Sequence, residues 1–133
     1  MRVLLIALGG AVGTLARYGT ALLLRRVTTP SLSTEWPLGT LVVNVVGCLV
    51  LAILSEVVLR GVRVNEDLRL AIGVGFCGGL TTYSTFNQDA MTLFRTTSSA
   101  SSAIYVVATL VLCAVASLAG VAIGRALSPL APS

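Results

Sequence analysis

Long segments without charged side chains are the feature that most limits what this chain can fold into. Hydrophobic residues make up 56% of the 133 residues and charged residues only 11%, against roughly a quarter in a typical soluble domain. About 20 apolar residues cross the hydrocarbon core of a bilayer. The sequence therefore predicts one all-α integral membrane domain, 1–133, with four transmembrane helices at about 3–24, 38–59, 67–94 and 103–125.

The ionisable residues argue against several classes of protein. The chain has no histidine, which is the commonest general base and metal ligand, so an enzyme is the least favoured class. The net charge of +4 is spread as single arginines, a pattern that does not predict nucleic-acid binding. Cys48, Cys77 and Cys113 stand in three different segments without paired spacing. This arrangement predicts neither a zinc site nor a disulfide framework, and it favours apolar packing for at least two of the cysteines.

The third segment departs most from a simple apolar helix. It contains Gly73, Gly75, Gly78 and Gly79, and each glycine costs a helix roughly 1 kcal/mol relative to alanine. We predict that this helix is broken at the glycine-rich stretch, near Gly78-Gly79. In a membrane such a break is tolerated only where the backbone is buried in protein or lines a wet cavity. Hydroxyl, aromatic and amide side chains follow at 81–87, which indicates a functional interior.

Shorter patterns predict local structure. GxxxG spacings, which let a second helix approach closely, occur at Gly9–Gly13 and Gly120–Gly124. Glu56 and Arg60 are four residues apart, a spacing that favours an ion pair on a helix. Asn65 precedes two acids and is a candidate helix N-cap.

The arginines give the four segments only a weak preference for one orientation. The positive-inside rule requires a clear excess of basic residues on one side. If both termini share a side, five arginines lie there (Arg2, Arg60, Arg63, Arg69 and Arg125) and three lie opposite (Arg25, Arg26 and Arg95). We therefore expect insertion in both directions and an antiparallel dual-topology dimer, which would also cover the polar stretch.

Three motifs together resemble the Fluc fluoride channels, also called the CrcB family, over nearly the whole chain. They are GGAVG at 9–13 with Arg17-Tyr18, GTLVVNVVG at 39–47, and GFCGGLTTYSTF at 75–86, of which the last is the most specific. The resemblance implies passive export of fluoride across the plasma membrane of a prokaryote, for fluoride resistance. It also implies an antiparallel homodimer in the lipid bilayer, with two pores, a broken third helix and one structural sodium ion at the dimer centre.

The resemblance assigns roles by position. Asn44 would donate a hydrogen bond to fluoride, and Tyr83 and Phe86 would face the ion. Gly78 and Thr81 would offer backbone carbonyls to sodium. The other predicted pore residues are Thr82, Ser84, Thr85, Tyr105, Thr109 and Cys113, with Arg17 at a vestibule.

Two positions depart from the family pattern and leave alternatives open. Tyr83 stands where the family usually has phenylalanine, and Cys113 where it often has serine, so the chain is also compatible with a subunit of a heterodimeric fluoride channel. Thr82 and Thr85 have a further interpretation, in which each hydroxyl bonds its own backbone one turn earlier. 

Two other functions remain as alternatives. A four-helix multidrug-type exporter of dual topology needs an acid within a helix, but the first segment has none and Glu56 lies at a helix end. A scaffold subunit would leave the polar stretch unexplained.

Overall fold

The computed structural model describes residues 1–27 and 36–128, and of residues 25–27 it describes the backbone alone. Every element in these ranges is helical. The elements are α1 Arg2–Val27, α2 Leu38–Leu59, α3 Glu66–Leu70, a π-helical stretch Ala71–Cys77, α4 Gly78–Leu80, α5 Tyr83–Thr96 and α6 Ser99–Leu127. The arginines at 25 and 26, used above for orientation, have side chains outside the described residues.

Three of these helices are long and apolar enough to cross a membrane: Arg2–Leu24 of α1, all of α2, and all of α6. The third segment consists instead of two shorter helical parts. Its first part, residues 66–80, runs through α3, the π-helical stretch and α4 with helical backbone angles at each junction. We call this part the α3–α4 arm. Its second part is α5.

The turn between α2 and α3 follows the signals in its sequence. Gly61 adopts the left-handed conformation with φ of 81°, and its N–H donates to the Val58 carbonyl at 3.0 Å, as in a glycine-terminated helix. The Asn65 side chain accepts from the N–H groups of Asp67 and Leu68 at 2.9 and 3.2 Å. The prediction of an N-cap at Asn65 is confirmed.

Ion pairs join helix ends on this side of the bundle. Arg2 binds both acids in the first turn of α3 at 2.8 Å. Glu56 binds Arg60 at 2.9 Å, as predicted, and also Arg125 of α6 at 3.2 Å. The Arg2 pairs are largely exposed, and exposed ion pairs each contribute about 0–1 kcal/mol, so these two pairs align the helix ends more than they stabilise the fold.

Glycines set the spacing between α1 and the α3–α4 arm. A Cβ placed on Gly13 would overlap the Phe76 carbonyl and lie 2.8 Å from the Leu80 nitrogen. A Cβ on Gly9 would overlap the Ala71 carbonyl. Because these contacts advance in the same order along both helices, α1 and the arm are parallel.

Close contacts at glycines also set the spacing between α6 and α2. A Cβ on Gly120 would lie 2.7 Å from the Leu49 carbonyl oxygen, and one on Gly124 would lie 2.7 Å from the Glu56 Cβ. These contacts also advance together, so α2 and α6 are parallel. The close approach predicted for both GxxxG spacings is confirmed.

The third segment is interrupted, but the predicted position of the break is wrong. Gly78 keeps helical angles, with φ of −64° and ψ of −35°. The extended residues are Thr81 and Thr82, with ψ of 156° and 125°. Gly79 is also helical, and a Cβ there would overlap the Gly10 carbonyl. Close packing against α1 therefore explains the glycine at position 79. The low helix propensity of glycine does not break the helix there.

Candidate functional site

The Asn44 side chain of α2 forms hydrogen bonds with both backbone groups of Thr82, at the break of the third segment. Its Nδ2 donates to the Thr82 carbonyl at 3.2 Å, and its Oδ1 accepts from the Thr82 N–H at 2.8 Å. This reciprocal pairing replaces the backbone hydrogen bonds that a continuous helix would make at Thr82. An asparagine amide carries two N–H donors, so Asn44 can donate once more while the pair stays intact.

Hydroxyl groups cluster at the start of α5. The Thr82 Oγ1 accepts from the Thr85 N–H at 3.3 Å and lies 3.2 Å from both the Ser84 and Thr85 hydroxyl oxygens. Thr82 is thus the N-cap of α5, and the alternative in which it bonds its own backbone one turn earlier is wrong. Thr109 does make that bond, to the Tyr105 carbonyl at 2.8 Å.

An aromatic row leads from the outer surface to the interior. The Tyr83 and Phe86 ring centroids are 5.9 Å apart, and those of Phe86 and Tyr105 are 5.5 Å apart. Tyr83 is 79% exposed, Phe86 8% and Tyr105 0%. Trp36, which the sequence did not place in this row, meets Tyr105 edge-on at 6.1 Å. The three predicted aromatic residues therefore form one continuous set.

The inner end of the row is a buried hydroxyl. Tyr105 Oη lies near Thr40 and Thr109, yet it has no hydrogen bond of good geometry with any residue in 1–27 or 36–128. Leaving such a group unsatisfied costs about 1–3 kcal/mol. A polar species that visits this point would relieve that cost.

Asp89 is a neighbour of this hydroxyl that the sequence analysis missed. Its Oδ2 accepts from the Thr40 hydroxyl at 2.6 Å, and its charge lies near Tyr105. The sequence did contain a clue to its role, because Asp89 lies one turn after Phe86 and is the single acid in 68–94. The structure thus adds a carboxylate to a site predicted to have neutral donors.

Arg17 lines a hollow of about 300 Å³ where α1, α2 and α5 meet. Thr40 and Thr85 line the same hollow, so Arg17 lies beside the polar cluster. The structure thus brings this predicted vestibule residue together with one predicted pore residue, Thr85, and the positive charge would raise the local concentration of anions.

The two residues predicted to hold sodium lie at the end of the α3–α4 arm. Gly78 is exposed, and a Cβ there would meet no atom within 4 Å. Thr81 donates its hydroxyl to the Cys77 carbonyl at 2.8 Å. Because Thr82 gives its N–H to Asn44, the Gly78 carbonyl loses its usual donor four residues ahead.

Cys113 extends the polar face of α6 beyond Thr109. Its side chain is half-buried, as is that of Cys48 in α2.

These features define a class: a small helical membrane protein with an aromatic and hydroxyl-lined interior beside a helix break. The profile of the family described as "CrcB-like protein, Camphor Resistance (CrcB)" matches residues 4–121. The chain belongs to the CrcB family.

Curated relatives cover nearly the whole chain. A protein of Rhizobium leguminosarum bv. trifolii named "Fluoride-specific ion channel FluC" is 41% identical over 128 residues, which is 96% of this chain and 99% of that protein. A protein of Rhodococcus jostii named "Fluoride-specific ion channel FluC 2" is 44% identical over 108 residues, 81% of this chain and 85% of that protein. The relatives are thus named as channels and not as enzymes.

Proposed function

We propose that this protein is a fluoride-specific ion channel that lets fluoride leave a bacterial cell passively across the plasma membrane. The observation that carries the proposal is the buried Tyr105 hydroxyl, which has no hydrogen-bond partner among the described residues and lies at the inner end of a row of rings and hydroxyls. The names of the relatives supply the identity of the ion.

The chemistry of the row suits a small anion. Fluoride needs its hydration water replaced by donors, and conduction requires binding weak enough for the ion to leave. The Asn44 amide and the Thr82, Thr85 and Tyr105 hydroxyls are neutral donors. The positive edges of aromatic rings can support the anion between them, which is the role we assign to Phe86 and Tyr83.

We propose four crossings of the membrane, with the α3–α4 arm and α5 forming the third. The parallel pairs, α1 with the arm and α2 with α6, support this alternation. In a single chain Tyr83, Ser84 and Asn87 are exposed, and polar groups facing lipid are costly. An inverted second copy that covers them would give the antiparallel dimer with two pores.

Sodium fits the end of the α3–α4 arm. A hard cation prefers oxygen ligands, and the Gly78 carbonyl has lost its helical donor there, while Thr81 carries an extended carbonyl. These two residues would hold the ion in the dimer. When bound, sodium would supply positive charge that joins the two copies and attracts anions.

Purified protein in liposomes loaded with fluoride tests the proposed function. When potassium permeability is supplied, fluoride should leave quickly and chloride should be retained, both followed with ion-selective electrodes. Liposomes without protein are the control. No fluoride release from this chain alone would rule out the homodimeric channel, and release only with a second homologous chain would identify a heterodimer.

Tyr83→Phe is expected to keep or raise the rate of fluoride release. Tyr83 contributes a ring edge next to Phe86, and phenylalanine presents the same ring edge without the hydroxyl. The same liposome assay measures the rate, with gel filtration to show that the dimer is intact. An intact Tyr83→Phe dimer without flux would show that the hydroxyl is essential and that a ring edge is not sufficient.

A further inference from the structure

A hollow opens at the turn between α2 and α3, and its volume is about 520 Å³. One part of its lining is apolar and the other is charged: Val58, Val62 and Val64 on the one hand, and Arg63, Arg69 and Glu66 on the other. The helix α2 is apolar enough to cross a membrane and ends at Leu59. The hollow therefore lies where the hydrocarbon core of a bilayer meets its headgroup layer.

Two arginines of this hollow have no carboxylate partner. The side chains of Arg63 and Arg69 are exposed, and neither forms an ion pair with any residue in 1–27 or 36–128. The other three arginines at this end of the bundle each bind an acid. Glu66 also lines the hollow, but its carboxylate is bound to Arg2 at 2.8 Å. The hollow thus carries two guanidinium groups that no ion pair neutralises.

Guanidinium groups beside valine side chains match the two parts of a phospholipid. A guanidinium group binds phosphate oxygens through two parallel N–H donors, and basic residues next to a membrane span attract anionic lipids. The valines, with the exposed side chain of Leu59, suit contact with hydrocarbon. The Glu66 carboxylate repels additional negative charge. It therefore favours a phosphodiester, which carries one charge, over inorganic phosphate, which loses a further proton near neutral pH.

We propose that Arg63 and Arg69 bind the phosphate of an anionic phospholipid, whose acyl chain lies against Val58 and Val62. Val58 belongs to α2 and Arg69 to α3, so the bound lipid joins the end of one helix to the start of the other. Lipid binding would therefore stabilise the base of the α3–α4 arm. None of the residues in this site belongs to the aromatic row, so the site is independent of the proposed ion path.

Native mass spectrometry of the full-length protein in detergent tests the site. Phosphatidylglycerol and phosphatidylcholine with the same acyl chains are added separately, so that the two lipids differ only in their headgroups. We expect the wild type to bind one phosphatidylglycerol per chain and to prefer it to phosphatidylcholine. Arg63→Gln and Arg69→Gln should each weaken the binding of phosphatidylglycerol by about 5-fold or more. Equal binding of the two lipids by the wild type would overturn the site.

Arg95→Gln is the matched control. Arg95 is an exposed arginine in the last turn of α5, and it does not line the hollow. Its replacement removes the same charge, and phosphatidylglycerol should bind this variant as tightly as it binds the wild type. Weakening by Arg95→Gln as large as that by Arg63→Gln would show attraction to the net charge of the protein and would overturn the site.

Thermal melting in detergent distinguishes a lipid from a free anion. A ligand that binds only the folded protein raises the melting midpoint. We expect phosphatidylglycerol to raise the midpoint of the wild type but not that of the double variant Arg63→Gln, Arg69→Gln, and inorganic phosphate at the same concentration to change neither. A wild-type midpoint raised equally by inorganic phosphate would assign the hollow to a free anion and overturn the lipid site.

Discussion

Replacing Gly13 with alanine is expected to destabilise the folded protein severely. The new Cβ would overlap the Phe76 carbonyl and crowd the Leu80 nitrogen at 2.8 Å. Both are backbone atoms, so no rotamer change relieves the contact. Overpacking costs about 1–3 kcal/mol or more, whereas alanine gains only about 1 kcal/mol in helix propensity. The clash therefore dominates, and we expect the thermal midpoint in detergent to fall by about 5 °C or more.

Gly19→Ala is the matched control on the same helix. A Cβ on Gly19 would meet nothing within 4 Å, so the propensity term acts alone and the midpoint should stay unchanged or rise. Scanning fluorimetry of the two variants and the wild type gives the comparison. Equal melting of Gly13→Ala and Gly19→Ala would show that contact between α1 and the α3–α4 arm does not control stability.

Features set by contacts within a few residues were predictable from the sequence. The Asn65 cap and the Glu56–Arg60 pair depend on positions up to four residues apart, and both occur as predicted. The helical class follows from the apolar runs, and the GxxxG spacings showed which faces pack closely. These predictions needed no knowledge of which helix lies against which.

Features set by the register between helices were not predictable. The Thr40 hydroxyl donates to Asp89 only because α2 packs against α5 in one particular alignment. The break was misplaced for the same reason. Helix propensity alone predicts a break at Gly78-Gly79. The helix ends later because the Thr82 N–H donates to the Asn44 side chain of α2 instead of to a carbonyl one turn earlier. A single residue on a neighbouring helix thus determines where the α3–α4 arm ends.

Asn44→Asp is expected to abolish fluoride release while leaving the fold in place. Aspartate keeps the oxygen that accepts from the Thr82 N–H, but it loses the amide donor to the Thr82 carbonyl and with it the donor available to fluoride. It also adds a negative charge to an anion path. Two like charges 4 Å apart repel by about 4 kcal/mol at an intermediate dielectric. Since about 1.4 kcal/mol is a factor of ten, we expect the rate of fluoride release in liposomes to fall by ~100-fold or more.

Asn65→Asp is the matched control for this change. The Asn65 side chain accepts hydrogen bonds from two backbone N–H groups at the start of α3, and aspartate is an equally good N-cap. The same exchange of amide for carboxylate should therefore leave both stability and flux near the wild-type values. Gel filtration shows whether each variant keeps its assembly state. An Asn44→Asp protein that conducts fluoride as fast as Asn65→Asp would show that the Asn44 amide takes no part in the ion path, and it would reduce Asn44 to the residue that fixes the helix break.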